Sequence, residues 1–159
     1  MMKLFIAPGA CTLAAHIAAL EAGIALQTVI TDFAGEYRER INPKGLVPTL
    51  QIDVHTVLTE TPVILQYLAE LAPQARLLPP VGSLERLRVL EWLAYIASKL
   101  HKGFGNPKHS DESGEVIARR LTTRFGFVDQ SLRAQASGWL AADFSVADLH
   151  LFTVSRWIP

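Results

Sequence analysis

The chain has 159 residues, half of them hydrophobic and 19% charged, a balance that suits a buried core and excludes an extended disordered chain. Fifteen basic residues offset fifteen acidic ones for a formal net charge of +0, with no long run of one sign, which argues against nucleic acid as a partner. The single cysteine, Cys11, cannot form an internal disulfide; this fits a reducing compartment and gives cytoplasm as the expectation.

The apolar start superficially resembles a secretory signal, but Pro8-Gly9 interrupts it and His16 and Glu21 break the remainder. Neither a signal core nor a span of about 20 apolar residues is available, so a soluble chain with no membrane partner is expected. Residues 3–7 read as a buried strand ended by Pro-Gly, residues 11–22 as an Ala-rich helix closed by Gly23, and residues 26–31 as a second strand. Strand, helix and strand in that order predict a parallel pair with a right-handed crossover. Residues 32–44 are polar and read as irregular. Residues 49–53 and 56–58 read as a hairpin about Val54-His55.

Thr61-Pro62 predicts a helix with a hydroxyl cap and a proline at its first position, and Val63, Ile64, Tyr67, Leu68 and Leu71 recur at helical spacing up to Pro73. The Pro-rich stretch that follows marks a boundary, giving domains at 1–75 and 83–159 with a linker at 76–82. Ser83 predicts the cap of a long helix with an apolar stripe of Leu87, Leu90, Leu93, Ile96, Ala97 and Leu100, and a second helix is expected from about 111 to 135. Ser145 and Asp148 form a capping-box pattern, with Phe144 and Leu149 placed for a hydrophobic staple. The fold class is therefore α/β followed by all-α.

Several strings in this order, Ala7-Pro8-Gly9-Ala10-Cys11-Thr12-Leu13, Asn42-Pro43-Lys44-Gly45-Leu46-Val47-Pro48, Leu58-Thr59-Glu60-Thr61, Glu91-Trp92-Leu93, Leu100-His101-Lys102-Gly103-Phe104 and Phe144-Ser145-Val146-Ala147-Asp148, resemble the glutathione transferases, and within them the bacterial beta class. The resemblance implies a thioredoxin-like first domain that binds glutathione and a helical-bundle domain that walls the site for a small electrophile. It also implies a homodimer, glutathione as co-substrate, no metal, and a role in detoxification.

Cys11 stands at a helix start, where free N–H groups and the helix dipole favour a thiolate; the residues alone equally admit a small buried hydrophobe. Glu60-Thr61 stands at another, suited to an ammonium and a carboxylate, or to a plain helix cap. The resemblance makes Cys11 and His101 catalytic, Ala10, Val47, Pro48, Glu60, Thr61, Ser98 and Lys102 glutathione contacts, and Val47-Pro48 a cis peptide. Lys44 is a candidate contact, or a plain surface lysine. His101 follows the small residues Ala94, Ala97 and Ser98 on one helix face, which could border a cleft. His16, His55, His109 and His150 show no metal-ligand spacing.

Three departures from the family pattern stand out. Ala94 replaces a frequent asparagine, the segment 32–39 is short with only Arg38 and Arg40 as basic candidates, and the chain ends at Pro159 before the family's final helices. Leu149, Leu151, Phe152 and Trp157 are expected to lose apolar cover, at about 1.5 to 3 kcal/mol each; a second chain, repacking or a longer natural product would answer that. Conjugation of glutathione to electrophiles, disulfide exchange through Cys11, and a non-catalytic glutathione-binding module are the functional expectations.

Overall fold

Leu4 and Leu50 are both completely buried at the middle of two neighbouring strands, and the first half of the chain is assembled around them. The computed structural model describes residues 1–104 and 112–158; His109, Asp111 and Pro159, which figure in the sequence expectations, lie outside the described residues. The chain divides into two compact units, Met1–Leu78 and a second beginning at Pro79.

In the first unit, β1 (Met2–Ile6), α1 (Thr12–Glu21) and β2 (Leu26–Ile30) form the expected βαβ unit, with β1 and β2 parallel in the register Met2 to Leu26. β3 (Thr49–Gln51) pairs antiparallel with β1, β4 (Val57–Thr59) pairs antiparallel with β3, and the sheet order is β2-β1-β3-β4. The helix α2 (Thr61–Leu71) packs on α1, whose buried face is Ala14, Ala15, Ala18 and Ala19. Small side chains there let the two helices approach closely.

The first strand of the hairpin ends two residues earlier than expected and the second is shifted by one, because Asp53 Oδ1 accepts the His55 and Thr56 N–H groups and turns the chain early. In α2 the expectation of a hydroxyl cap at Thr61 is wrong. Glu60 is the N-cap residue, at φ 71° and ψ 121°, with no side-chain cap bond, so Thr61 and Pro62 are the first two helical residues. The buried face includes Leu65, while Val63 and Leu71 are exposed. The segment read as irregular contains a π-helical turn, Tyr37–Ile41, closed by Asn42 N–H on the Tyr37 carbonyl at 2.8 Å.

In the second unit, Ser83 caps α3 (Leu84–Tyr95) by accepting the Arg86 N–H, and Ser113 caps α4 (Gly114–Ala134) by accepting the Val116 N–H. The long helix expected through His101 loosens instead into a π-helical turn at Ile96–Leu100 and a 3₁₀ turn at His101–Phe104. Its buried stripe is Val89, Leu93, Ile96 and Leu100, with Leu87 exposed, because these residues face α5 (Val146–Ser155). The capping box at the start of α5 is present: Asp148 Oδ2 accepts the Ser145 N–H at 2.9 Å, and Ser145 Oγ accepts backbone N–H in return. Asp148 Oδ1 also accepts the Leu140 N–H at 2.9 Å, tying the preceding loop to the helix.

The expected loss of apolar cover holds only in part. Leu149 is 5% exposed, so the unit covers it; Leu151 and Trp157 are half-buried, Trp157 against Phe104 and His101. Phe152 is exposed, with the Arg156 guanidinium 5.7 Å from its ring centroid, beside an apolar groove of about 440 Å³ between α4 and α5.

His150 is fully buried in α5, and neither ring nitrogen has a hydrogen-bond partner among the described residues. Burial first, and the charge of His101 second, push its pKa from 6.5 down to about 3.

Two outcomes follow. Ser145→Ala is expected to cost about 1 kcal/mol in urea unfolding, the usual loss of a cap, and Asp148→Ala at least about 1 kcal/mol more, since it leaves two buried N–H groups unpaired; equal costs would refute the Leu140 tie. His150 stays neutral when folded, whereas the unfolded chain takes up its proton near pH 6.5, so its contribution is fully present above pH 6.5 and falls by about 1.4 kcal/mol per unit below it. Between pH 7 and pH 5 the wild type should therefore lose about 2 kcal/mol more stability than His150→Phe.

Candidate functional site

The strand register determines what meets at one end of the first sheet. Phe5 pairs with Thr49, and Thr49 pairs with Thr59. The segment leaving β1, the segment entering β3 and the segment leaving β4 therefore share an edge, and they carry Ala10-Cys11, Val47-Pro48 and Glu60-Thr61 respectively.

Cys11 is the N-cap residue of α1 rather than a residue within it, and it is 5% exposed. Its Sγ donates to the Val47 carbonyl at 3.4 Å, which joins the first of these segments to the second. Ala10, half-buried, immediately precedes it, and its N–H donates to the Ala7 carbonyl in the turn that follows β1. The Val47-Pro48 peptide is cis, and the Val47 N–H makes no hydrogen bond among the described residues.

The third segment is joined to the second by Lys44, whose Nζ donates to Thr59 Oγ1 at 2.9 Å and to Glu60 Oε1 at 3.1 Å. Both members of that ion pair are more than half exposed, so it orients the Glu60 carboxylate and adds at most about 1 kcal/mol to stability. The positive φ of Glu60 is a backbone conformation that a non-glycine residue holds at a cost of about 1–3 kcal/mol. At the start of α2, Pro62 has no N–H and the Val63 N–H already donates to the Glu60 carbonyl at 3.1 Å. That leaves the N–H of Thr61, a buried residue, unpaired among the described residues at the positive end of the helix dipole.

Ser98, His101 and Lys102 belong to the second unit. Ser98 and Lys102 are exposed; His101 is half-buried, its ring edge-on to Trp157 with centroids 4.9 Å apart. The change from π to 3₁₀ winding at His101 alters its spacing from Ala94, Ala97 and Ser98, so the single helical face read from the sequence is not kept. The His101 turn is braced from α4: Arg120 Nη2 and Nε donate to the Gly103 carbonyl at 2.9 and 3.1 Å, and Arg124 donates to the Lys99 carbonyl. Gly103 lies so close to α4 that a β-carbon there would come within 2.9 Å of Leu121. Among the described residues there is no cluster of potential metal ligands and no helix long and apolar enough to cross a membrane.

Sequence reasoning missed Tyr37, Asn42 and Thr49, which hydrogen-bond around the Leu46 carbonyl next to Val47. The signal for Tyr37 was an aromatic residue in a polar segment, and it is buried against Phe5 with ring centroids 5.3 Å apart.

Residues 9–71 match the family described as glutathione S-transferase, N-terminal domain. The chain is 40% identical over 166 residues to the glutathione S-transferase GstA of Escherichia coli O157:H7, covering 98% of this chain and 82% of that protein. It superimposes on a sphingomonad glutathione S-transferase complexed with glutathione with a TM-score of 0.89 and 36% identity, over 98% of this chain and 81% of that one. The bacterial beta-class glutathione S-transferase of Sphingomonas chungbukensis gives a TM-score of 0.85 and 38% identity, over the same shares. With the fold, the segment order and these identities in agreement, the chain belongs to the glutathione S-transferase family.

Proposed function

We propose that this glutathione transferase holds glutathione along one end of the first sheet and delivers its thiol to small electrophiles. The observation that carries the proposal is the convergence of Cys11, the unpaired Val47 N–H and the Glu60-Thr61 helix start on one edge. Glutathione's γ-glutamyl end carries an ammonium and a carboxylate; Glu60 suits the first and the Thr61 N–H the second. Val47 offers its N–H for the cysteinyl part, next to Pro48 and Ala10. A site so arranged acts by orientation and by electrostatic stabilisation of the thiolate, with no metal.

The resemblance to the family supports Ser98, His101 and Lys102 as further glutathione-side contacts, with His101 tuning the thiol. It also supports residues 1–75 as the glutathione-binding domain, 76–82 as a linker and 83–159 as the helical domain. A cytoplasmic homodimer with a role in detoxification completes the proposal.

A second activity, disulfide exchange through Cys11, is held against the first by one contact. A carbonyl oxygen accepts from S–H and offers nothing to a thiolate, so the bond from Cys11 to Val47 favours Cys11 as a contact rather than as the attacking nucleophile.

Cys11→Ala is therefore expected to retain conjugation of glutathione to a chlorinated nitrobenzene within about tenfold while losing the mixed disulfide seen by intact mass; loss of conjugation altogether would make Cys11 essential to activating the glutathione thiol. Glu60→Gly should raise the melting temperature by relieving the positive φ, yet raise the glutathione KM at least about tenfold by removing the carboxylate. No turnover of several electrophiles by the wild type would refute the proposal.

A further inference from the structure

We infer that Tyr37, Asn42 and Thr49 are positioning residues for glutathione: their hydrogen bonds fix the Leu46 carbonyl, and through one rigid peptide group they aim the Val47 N–H at the ligand. This rests on Val47 as a glutathione contact, proposed above.

The Leu46 carbonyl and the Val47 N–H belong to a single planar peptide unit and point in opposite directions, so holding one holds the other. Three side chains reach that carbonyl. Tyr37 OH donates to it, Asn42 Nδ2 lies 2.8 Å away, and Thr49 Oγ1 lies 3.2 Å away. They also meet each other: Thr49 Oγ1 is 2.9 Å from Asn42 Nδ2 and 2.8 Å from Tyr37 OH.

Four hydrogens serve these five contacts. The two amide hydrogens of Asn42 go to Leu46 O and Thr49 Oγ1, the Tyr37 hydrogen goes to Leu46 O, and the single Thr49 hydrogen is divided between Leu46 O and the Tyr37 oxygen. The orientation of the Asn42 amide follows from its other end, where Oδ1 accepts the Lys44 N–H at 3.1 Å. Tyr37, Asn42 and Thr49 are 6%, 3% and 0% exposed, so the bonds among them are shielded from water, while those to the carbonyl of Leu46, an exposed residue, are partly buried. Thr49 is in β3 and Tyr37 packs its ring, tilted by 47°, against Phe5 of β1, which ties the carbonyl to the sheet. Tyr37 and Asn42 lie at the two ends of the π-helical turn that the sequence left as irregular. An N–H aimed in advance spares the ligand the cost of ordering the loop.

Tyr37→Phe and Thr49→Val each delete one hydroxyl at nearly constant shape, and Thr49→Ser retains it. The expected result is a glutathione KM raised about tenfold in Tyr37→Phe and Thr49→Val, with kcat at saturating glutathione within about twofold and KM restored in Thr49→Ser. A purely structural role would lower the melting temperature and leave the KM of the folded protein unchanged, so an unchanged KM overturns the inference. Should Thr49→Val not fold, Tyr37→Phe decides by itself. Amide hydrogen exchange across residues 42–50 gives a readout independent of glutathione: faster exchange in Tyr37→Phe supports the anchoring, and unchanged exchange overturns it. A wild type that fails to bind glutathione would instead refute Val47 as a contact, while exchange still decides whether the loop is anchored.

Discussion

The pairing of Phe5 with Thr49 and of Thr49 with Thr59 is the constraint on which the site depends. A slip of one residue between β1 and β3 would turn every side chain of the slipped strand to the opposite face. Leu4 and Leu50, each fully buried, hold that register, because exposing either forfeits about 1.5 to 3 kcal/mol of a total stability of only about 5 to 15. Once the register is set, three segments far apart in sequence leave the sheet at the same end. Chemistry then needs only that each segment present the right group.

Each segment is set by a different device. Cys11 is placed by the start of α1 and bonded across to Val47. The Val47 peptide is held through the Leu46 carbonyl by side chains from the π-helical turn and from β3. Glu60 holds an unfavourable φ between β4 and α2, steadied by Lys44 from the neighbouring loop. Strain at Glu60 is tolerable because the strand before it and the helix after it are both fixed by packing. In the helical unit the corresponding device is the clamp of Arg120 and Arg124 on the turn that carries His101.

What could be read from the sequence was what short-range chemistry decides. The capping box at Ser145 and Asp148 is legible because its partners are three residues apart, and the βαβ opening is legible because each element has its own periodicity and stop signal. The N-terminus of α2 was misassigned by one residue because the positive φ of Glu60 has no sequence signature in a non-glycine residue, whereas Thr-Pro is a common start. The expected stripe on α3 is right at Leu93, Ile96 and Leu100 and wrong at Leu87, which is exposed, because leucines at helical spacing drew the stripe off its true N-terminal member, Val89. The Tyr37, Asn42 and Thr49 cluster was invisible because its bonds span up to 12 residues and require the β1 to β3 register to form. His150 has no metal-ligand spacing to single it out in the sequence; the packing of α5 against α3 and the turn after it decides that it is buried. Cys11, Val47, Pro48, Glu60 and Thr61 were identified by resemblance, since a lone cysteine or a Glu-Thr pair has no distinctive meaning alone.

The central claim, that one end of the first sheet is the glutathione site, is tested most directly by following backbone amide resonances while glutathione is added to the intact protein. The Val47 and Thr61 amides should move saturably and together, with a single dissociation constant, and the resonances of β2 should stay in place. Saturable changes that leave Val47 and Thr61 unmoved would contradict it.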